Sequence, residues 1–269
     1  MRPGRSVAEI TRLFVQMSDS PRRVDLNADV GELPLGQDPV LMPAITSANI
    51  ACGFHAGDPD MMRATVRLAA QHGVAVGAHP GFADREGFGR RERPVSAPEI
   101  EALVLYQLGA LAAIAAAEGV RLRHVKAHGA LYNMAAREPA LADALARATV
   151  TFDRTLVFVG LAGSALLAAG ARAGLTTVSE VFADRGYRAD GSLVSRNRPG
   201  AVIHDPAVVV ARAVKMATES EVVSVDGPIL RVAAETICVH GDTPDAARLA
   251  VEIRRALEAH GVTVAAPDA

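Results

Sequence analysis

Short apolar runs of strand length alternate seven times with longer amphipathic runs of helix length along this chain of 269 residues. Strict alternation of this kind favours right-handed crossovers between parallel strands. We therefore predict an α/β fold in which seven parallel strands close into a (β/α) barrel. The predicted strands are Val24–Asp29, Ser47–Cys52, Val74–His79, His124–His128, Thr155–Leu161, Thr177–Phe182 and Thr236–His240.

The predicted helices begin at recognisable capping residues. Asp58 and Asp205 each precede a proline, as an N-cap precedes the first helical position, and Ser96 and Glu99 have the spacing of a capping box. The predicted helices are Pro39–Ile45, Asp58–Gly73, Ser96–Gly119, Asn133–Thr149, Ser164–Gly174, Asp205–Thr218 and Thr243–Gly261. Long loops at 81–94 and 183–204 and a β-hairpin over Glu221–Glu235 interrupt the alternation. Loops of that length inside a compact domain usually bind ligands.

Composition restricts the class of protein. A net charge of -2 argues against a nucleic-acid partner. The most apolar stretch, 102–117, is shorter than the roughly 20 residues that a membrane span needs, so we predict a core helix and no membrane contact. The two cysteines lack CxxC spacing, which argues against a zinc knuckle and favours a reducing cytoplasm. Residues 24–269 are predicted to form one catalytic barrel domain, and residues 1–23 a mobile N-terminal extension.

Polar side chains cluster where the predicted strands end. Asp29 ends the first strand, His55 follows the second, and Lys126 and His128 alternate onto one face of the fourth. Ligands of α/β enzymes bind outside the carboxyl edge of the sheet, so we predict that these four residues are catalytic. Each has a structural interpretation as well, as part of a hydrogen-bonded polar layer or as a buried histidine with satisfied partners.

Two kinds of chemistry fit these residue types. Asp29, His55 and His128 could bind a divalent metal as a carboxylate and two imidazoles, although no HxxxH or HExxH spacing supports it. Alternatively, a carboxylate and histidines activate water without metal, and Lys126 stabilises an oxyanion. No Gly-x-Ser-x-Gly elbow is present, and Cys52 is predicted to be a small buried filler. No Walker A or Gly-x-Gly-x-x-Gly motif is present either, so nucleotide chemistry would come from another chain.

Several sequence blocks in the same order resemble the LamB/YcsF family. They cover residues 24–32, 48–59, 77–82, 128–133, 180–185 and 237–244. The resemblance implies a seven-stranded barrel of the glycoside hydrolase and polysaccharide deacetylase type. It also implies ATP-dependent opening of the lactam ring of 5-oxo-L-proline to L-glutamate, together with 5-oxoprolinase subunits B and C, which would bind the ATP. Ala127 stands where the family pattern usually has proline, and Val30 replaces the second aspartate of the related deacetylases.

Within this resemblance we assign water activation to Asp29 and His55, and charge stabilisation to Lys126 and His128. The substrate-binding residues are predicted to be Asn27, Asn49, His79, Arg91, Tyr132 and Arg185, with Arg91 or Arg185 holding the substrate carboxylate. Two other functions stay open at this point. One is a metal-dependent carbohydrate deacetylase or hydrolase that acts alone, and the other is a non-catalytic binding or scaffolding protein of a larger complex.

Overall fold

The structure is a computed structural model that describes residues 22–33, 37–196, 198–240 and 245–268, without the side chain of His240. The predicted mobile extension lies outside the described residues except for Arg22 and Arg23, and Arg23 already begins the first strand. The predicted helix start at Thr243 also falls outside them.

The described residues form ten strands, eight α-helices and one 3-10 helix at Met42–Ala44. The strands are β1 (Arg23–Val30), β2 (Ser47–Ala51), β3 (Ala75–His79), β4 (His124–Val125), β5 (Val157–Leu161), β6 (Thr177–Phe182), β7 (Glu221–Val223), β8 (Ile229–Arg231), β9 (Thr236–His240) and β10 (Thr263–Val264). The helices are α1 (Asp38–Leu41), α2 (Pro59–His72), α3 (Ala97–Ala117), α4 (Gly129–Arg137), α5 (Pro139–Phe152), α6 (Ala165–Arg172), α7 (Pro206–Glu219) and α8 (Ala246–Ala259).

Seven parallel strands close into a barrel, as predicted. They follow the order β1, β2, β3, β4, β5, β6, β9, and β9 pairs with β1 to complete the ring. The short strand β10 pairs with the beginning of β1, outside the ring. Strands β7 and β8 form the predicted antiparallel hairpin before the last barrel strand. All seven carboxyl ends therefore meet at one rim, where the predicted polar side chains converge.

Helix α3 is the one helix in the described ranges that is long and apolar enough to cross a membrane by length and composition. It nevertheless packs against the barrel, with Ile100, Leu108 and Leu111 fully buried. Its buried Gln107 binds both backbone groups of Gly81, accepting from the N–H at 2.9 Å and donating to the carbonyl at 2.9 Å. The helix thereby fixes the start of the long loop that follows β3.

Three predicted elements differ from the structure in more than their exact ends. The predicted helix Pro39–Ile45 is the short helix α1 followed by a 3-10 helix at Met42–Ala44. The predicted strand His124–His128 is a strand only over His124–Val125, although the N–H groups of Lys126 and His128 still donate to the carbonyls of Ala78 and Pro80. The single predicted helix Asn133–Thr149 is wrong, since α4 and α5 are separate helices that meet at Glu138. Pro139 occupies the first position of α5, and without an N–H it cannot continue the preceding helix.

Candidate functional site

The lower end of the barrel interior holds a satisfied carboxyl group. Asp25 accepts hydrogen bonds from the hydroxyls of Thr46 at 2.6 Å, Ser47 at 2.8 Å and Thr236 at 2.6 Å. Burial raises the pKa of Asp25 in spite of these donors. This residue has every partner it needs within the barrel, so it belongs to the structural layer and not to a reaction centre.

An amide layer lies above Asp25. The side-chain amide of Asn27 donates to the Thr236 hydroxyl at 2.6 Å, and that of Asn49 donates to Asn27 Oδ1 at 2.8 Å. His124 Nε2 lies 2.8 Å from Asn49 Oδ1. Its ring fits because position 77 is glycine, where a Cβ would lie 2.0 Å from His124 Nε2. The two asparagines therefore connect the barrel wall to the groups above them.

Lys126 is the cation at the centre of the barrel. Its ammonium group lies 2.8 Å from Glu180 Oε1 and 3.0 Å from Asp29 Oδ1, and it also donates to Cys238 Sγ at 3.0 Å. Burial alone would lower the pKa of Lys126, but the two carboxylates outweigh it and raise that pKa well above its usual value. Tyr132 donates to the second oxygen of Glu180 at 2.7 Å. Lys126 is thus a fixed ammonium ion that pairs with both Asp29 and Glu180.

Four side chains converge at the upper end of the barrel. They are Glu32, His55, His79 and His128, and their ligand atoms all lie within 4.8 Å of one another. Glu32 Oε1 is 3.2 Å from His128 Nδ1 and 3.3 Å from His55 Nε2. Asp29 adjoins the group, with its Oδ2 atom 3.3 Å from His79 Nε2. A carboxylate and three imidazoles in this arrangement are ligands of the kind that zinc and similar divalent cations bind.

Hydrogen bonds to backbone carbonyls define the tautomers of two of these histidines. His79 Nδ1 lies 2.8 Å from the carbonyl oxygen of Lys126, and His128 Nε2 lies 2.8 Å from that of Phe88. A carbonyl only accepts, so both nitrogens carry the hydrogen and donate it. In the neutral rings, His79 Nε2 and His128 Nδ1 are then unprotonated, and these two atoms lie 3.0 Å apart. Two lone pairs that face each other beside a carboxylate call for a cation between them.

His55 completes the group without any hydrogen bond of its own. Neither of its ring nitrogens has a hydrogen-bond partner among the described residues, and neither does Glu32 Oε1. Burial lowers the pKa of His55 to about 3, so its ring is neutral near pH 7. Buried polar atoms without partners cost about 1 to 3 kcal/mol each. A metal ion bound by Glu32 Oε1 and one ring nitrogen of His55 would satisfy two of these three atoms.

Two glycines make room for the stacked rings of His55 and His128, whose centroids are 3.8 Å apart. A Cβ at Gly81 would lie 2.6 Å from His55 Nδ1, and one at Gly89 would lie 2.7 Å from His55 Cβ. Gly89 also has φ +63°, a backbone conformation that favours glycine. The glycine-rich loop after β3 is therefore shaped around the histidines.

Comparison with known proteins identifies the family of this site. The family description that matches residues 24–269 is that of LamB/YcsF. This chain belongs to the LamB/YcsF family. It is 54% identical over 248 residues to the A subunit of 5-oxoprolinase from Rhodopseudomonas palustris, covering 90% of this chain and 98% of that protein. It is 55% identical over 252 residues to the protein of the same name from Symbiobacterium thermophilum, covering 92% and 97%.

A solved structure gives the same relationship. The lactam utilization protein from Thermus thermophilus superposes on this chain with a TM-score of 0.85 and 47% sequence identity. The match covers 91% of this chain and all of that one. The LamB/YcsF barrel of this protein is therefore shared over its whole length with a relative of solved structure.

In this LamB/YcsF barrel a cavity of about 720 Å³ opens beside the rim cluster. Most of the residues predicted to be functional line it, namely Asp29, His79, Lys126, His128, Tyr132 and Arg185. Asn27 and Asn49 lie beneath it, and His55 stacks behind His128. Arg91 is elsewhere, since its exposed guanidinium pairs with Asp84 and does not line the cavity.

Two residues of the site received no role from the sequence, since Glu180 and Cys238 surround Lys126. Glu32, which supplies the carboxylate of the rim cluster, is predicted by sequence only as a member of a carboxylate cluster with Asp25, Asn27 and Asp29. Glu180 carried a usable signal, because a charged residue inside a predicted buried strand needs a partner as much as Lys126 does. Cys238 carried no such signal, since a buried cysteine is an ordinary core residue.

Proposed function

We propose that this chain is the A subunit of an ATP-dependent 5-oxoprolinase, a hydrolase that opens the lactam ring of 5-oxo-L-proline to give L-glutamate. One observation carries the proposal: relatives that carry this name are about 54% identical to nearly the whole chain. The converging carboxylate and histidines beside a cavity of small-molecule size support it, since ligand pockets span roughly 300 to 1,000 Å³.

The reaction adds water to the lactam carbonyl carbon, breaks the C–N bond and leaves a protonated amine on glutamate. Asp29 is suited to accept the proton of water, because its Oδ1 atom pairs with the Lys126 ammonium at 3.0 Å while its Oδ2 atom faces His79 beside the cavity. His128 and His79 line the same cavity and place their unprotonated nitrogens beside Asp29. Lys126 acts through Asp29, since its ammonium already has Asn27, Asp29, Glu180 and Cys238 as acceptors.

Glu32, His55, His79 and His128 are the residues that would hold a divalent metal, and such a metal supplies a Lewis acid and an activated water when it is bound. The support is the pair of facing unprotonated nitrogens and the unpartnered atoms of Glu32 and His55. This ligand set differs from the one suggested by sequence, because Glu32 takes the place of Asp29 and His79 joins the group.

ATP enters this scheme through partner subunits B and C. The chain has no phosphate-binding loop of the Walker or Rossmann type, which supports nucleotide binding in a partner. Phosphorylation of the lactam oxygen there, with release of ADP, would activate the ring carbon. Addition of water and cleavage of the C–N bond would then give the γ-acyl phosphate of glutamate, and a second water would release glutamate and inorganic phosphate. Two free, buried cysteines are compatible with the reducing cytoplasm that we propose as the location.

Reconstitution tests the proposal. The purified chain is assayed for ATP-coupled glutamate release from 5-oxo-L-proline, with and without subunits B and C, and its metal content is measured by elemental analysis. We expect glutamate only with both partners and ATP, and loss of activity in His55→Ala and His128→Ala with unchanged folding. Turnover of an acetylated sugar by the chain alone would favour the deacetylase, and parent-level glutamate release by both alanine variants would refute the assignment.

A further inference from the structure

Arg185 is a buried cation in the wall of the cavity. It belongs to the long insertion between β6 and α7, is only 4% exposed, and lines the same cavity as His79 and His128. A buried guanidinium is costly unless an anion or several acceptors compensate it. Its surroundings therefore indicate what the cavity receives.

The insertion holds the Arg185 guanidinium with neutral acceptors only. Nε donates to the carbonyl of Ala201 at 3.1 Å, and Nη2 donates to the carbonyl of Val194 at 2.6 Å. Among the described residues, no carboxylate forms an ion pair with Arg185, and Nη1 has no hydrogen-bond acceptor. Burial, followed by repulsion from Arg196, lowers the pKa of Arg185 to about 10, so it remains charged near pH 7. The site thus presents an oriented positive charge with no carboxylate hydrogen-bonded to it, although the buried carboxylate of Asp184 is near enough to raise the pKa of Arg185.

Other arginines around the cavity are differently placed. Arg137 makes two hydrogen bonds to Glu92 at 3.0 and 3.1 Å, and Arg90 lies over the ring of Phe88 and has a further partner. Arg188 is exposed to solvent, and Arg196, which also lines the cavity, is only half-buried. Arg185 therefore combines burial, fixed orientation and absence of an ion pair in a way that these four residues do not.

We infer that Arg185 binds the carboxylate of the lactam substrate and so selects a lactam that bears a carboxylate next to its ring nitrogen. This inference rests on the proposed function, and it replaces the choice between Arg91 and Arg185 with Arg185 alone. A guanidinium pre-oriented by two carbonyls binds a carboxylate with little loss of side-chain freedom. Fixing the carboxylate at the Arg185 wall leaves the ring carbonyl free to face the histidines on the other wall.

The test compares two substrates that differ only in charge at this position. 5-Oxo-L-proline and 5-oxo-L-prolinamide are supplied to the reconstituted complex with ATP, and the new primary amine is measured for both. The variants of this chain are Arg185→Met, Arg185→Lys and, as a matched control in the same insertion, Arg198→Met, whose side chain is exposed and does not line the cavity. Equilibrium binding of both compounds to the isolated full chain gives a second readout without turnover.

The wild type is expected to prefer the carboxylate strongly. Arg185→Met should lower kcat/KM for 5-oxo-L-proline by about 100-fold, mainly through KM, because a buried charged hydrogen bond is lost. Turnover of the carboxamide should hardly change, Arg185→Lys should be intermediate, and Arg198→Met should behave as wild type.

Other outcomes separate this inference from the proposed function. An equal loss for both compounds in Arg185→Met, which a structural or phosphate-binding role would produce, overturns the carboxylate contact. The absence of any loss for either compound overturns it as well. A wild-type complex that opens neither ring contradicts the proposed function instead. In that case the binding readout decides: weaker binding of the carboxylate alone in Arg185→Met supports the contact, and equal binding to both chains overturns it.

Discussion

His79 Nε2 and His128 Nδ1 face each other at 3.0 Å, and each ring donates its only hydrogen to a backbone carbonyl on the far side. The barrel thereby presents two imidazole lone pairs to the same point, beside Glu32 and the unpartnered ring of His55. A fold that aims these atoms at one another is arranged for a cation.

Divalent cation binding follows from this arrangement. After removal of metal with a chelator, the isolated chain should bind Zn²⁺ in a calorimetric titration. His79→Ala should weaken zinc binding by about 100-fold or more. Mutation of a residue that only hydrogen-bonds to a metal ligand already lowers affinity about 10- to 100-fold, and loss of the ligand itself should cost more. His72→Ala, at an exposed helix end, should bind as wild type does. Equal affinity in the wild type and His79→Ala would contradict the ligand set.

The glycine at position 89 should be needed for the histidine stack. Gly89→Ala places a Cβ 2.7 Å from His55 Cβ, while Gly119→Ala has a similar positive φ and nothing within 4 Å. Both variants bear backbone strain of about 1 to 2 kcal/mol, so the control isolates the steric effect. We expect Gly89→Ala to show a greater loss of unfolding free energy and weaker cation binding. Equal unfolding free energies in urea and equal cation affinities in the two variants would show that the loop moves aside without disturbing His55.

Lys126 should be the most costly polar residue to remove. Lys126→Met leaves Asp29 and Glu180 buried without their cation, which should lower the free energy of unfolding by about 3 to 5 kcal/mol. Lys215→Met removes a surface lysine with ion pairs at 3.4 and 3.7 Å and should cost less than about 1 kcal/mol. Chemical denaturation of both variants measures the difference. A similar small loss in each would contradict the role of Lys126 as the cation that compensates Asp29 and Glu180.

Acid should destabilise the metal-free protein through its buried neutral histidines. Burial lowers the pKa of His124 to about 3 and that of His55 to about 3, against an ordinary value of 6.5. Because the unfolded chain takes up these protons first, the stability they contribute is complete above pH 6.5 and falls as pH drops toward 3. Each histidine should add about 1.4 kcal/mol per pH unit to the slope of the unfolding free energy against pH between pH 6.5 and about 3. Urea unfolding of the wild type and His124→Asn checks this, and identical slopes would contradict it.

The barrel could be predicted because two features are local properties of the sequence: the alternation of strand-length and helix-length runs, and the polar residues at the strand ends. Strand ends at Asp29 and His79 pointed correctly to the rim. The break at Pro139 was also visible locally, but the amphipathic pattern on either side of it favoured one helix.

The partners within the site could not be predicted in the same way. Glu180 meets Lys126 across a closed barrel, and Glu32 returns to the rim only because Gly31 turns the chain with φ +66°. Arg91 and Arg185 are both loop arginines, and only packing places one against a surface aspartate and the other in the cavity wall. Long-range closure and loop packing decide such contacts, and neither leaves a periodic pattern.

Glutamate release by the complex that carries Glu32→Gln tests the central claim most directly. Glutamine keeps the size of the side chain and removes the charge that faces the three histidines. The complex should lose at least about 100-fold in kcat with an unchanged unfolding profile, as expected when a group that stabilises the transition state is removed. The control Glu86→Gln changes a side chain that is 91% exposed and should retain full activity. Release at the wild-type rate by Glu32→Gln would show that the rim cluster is not the reaction centre.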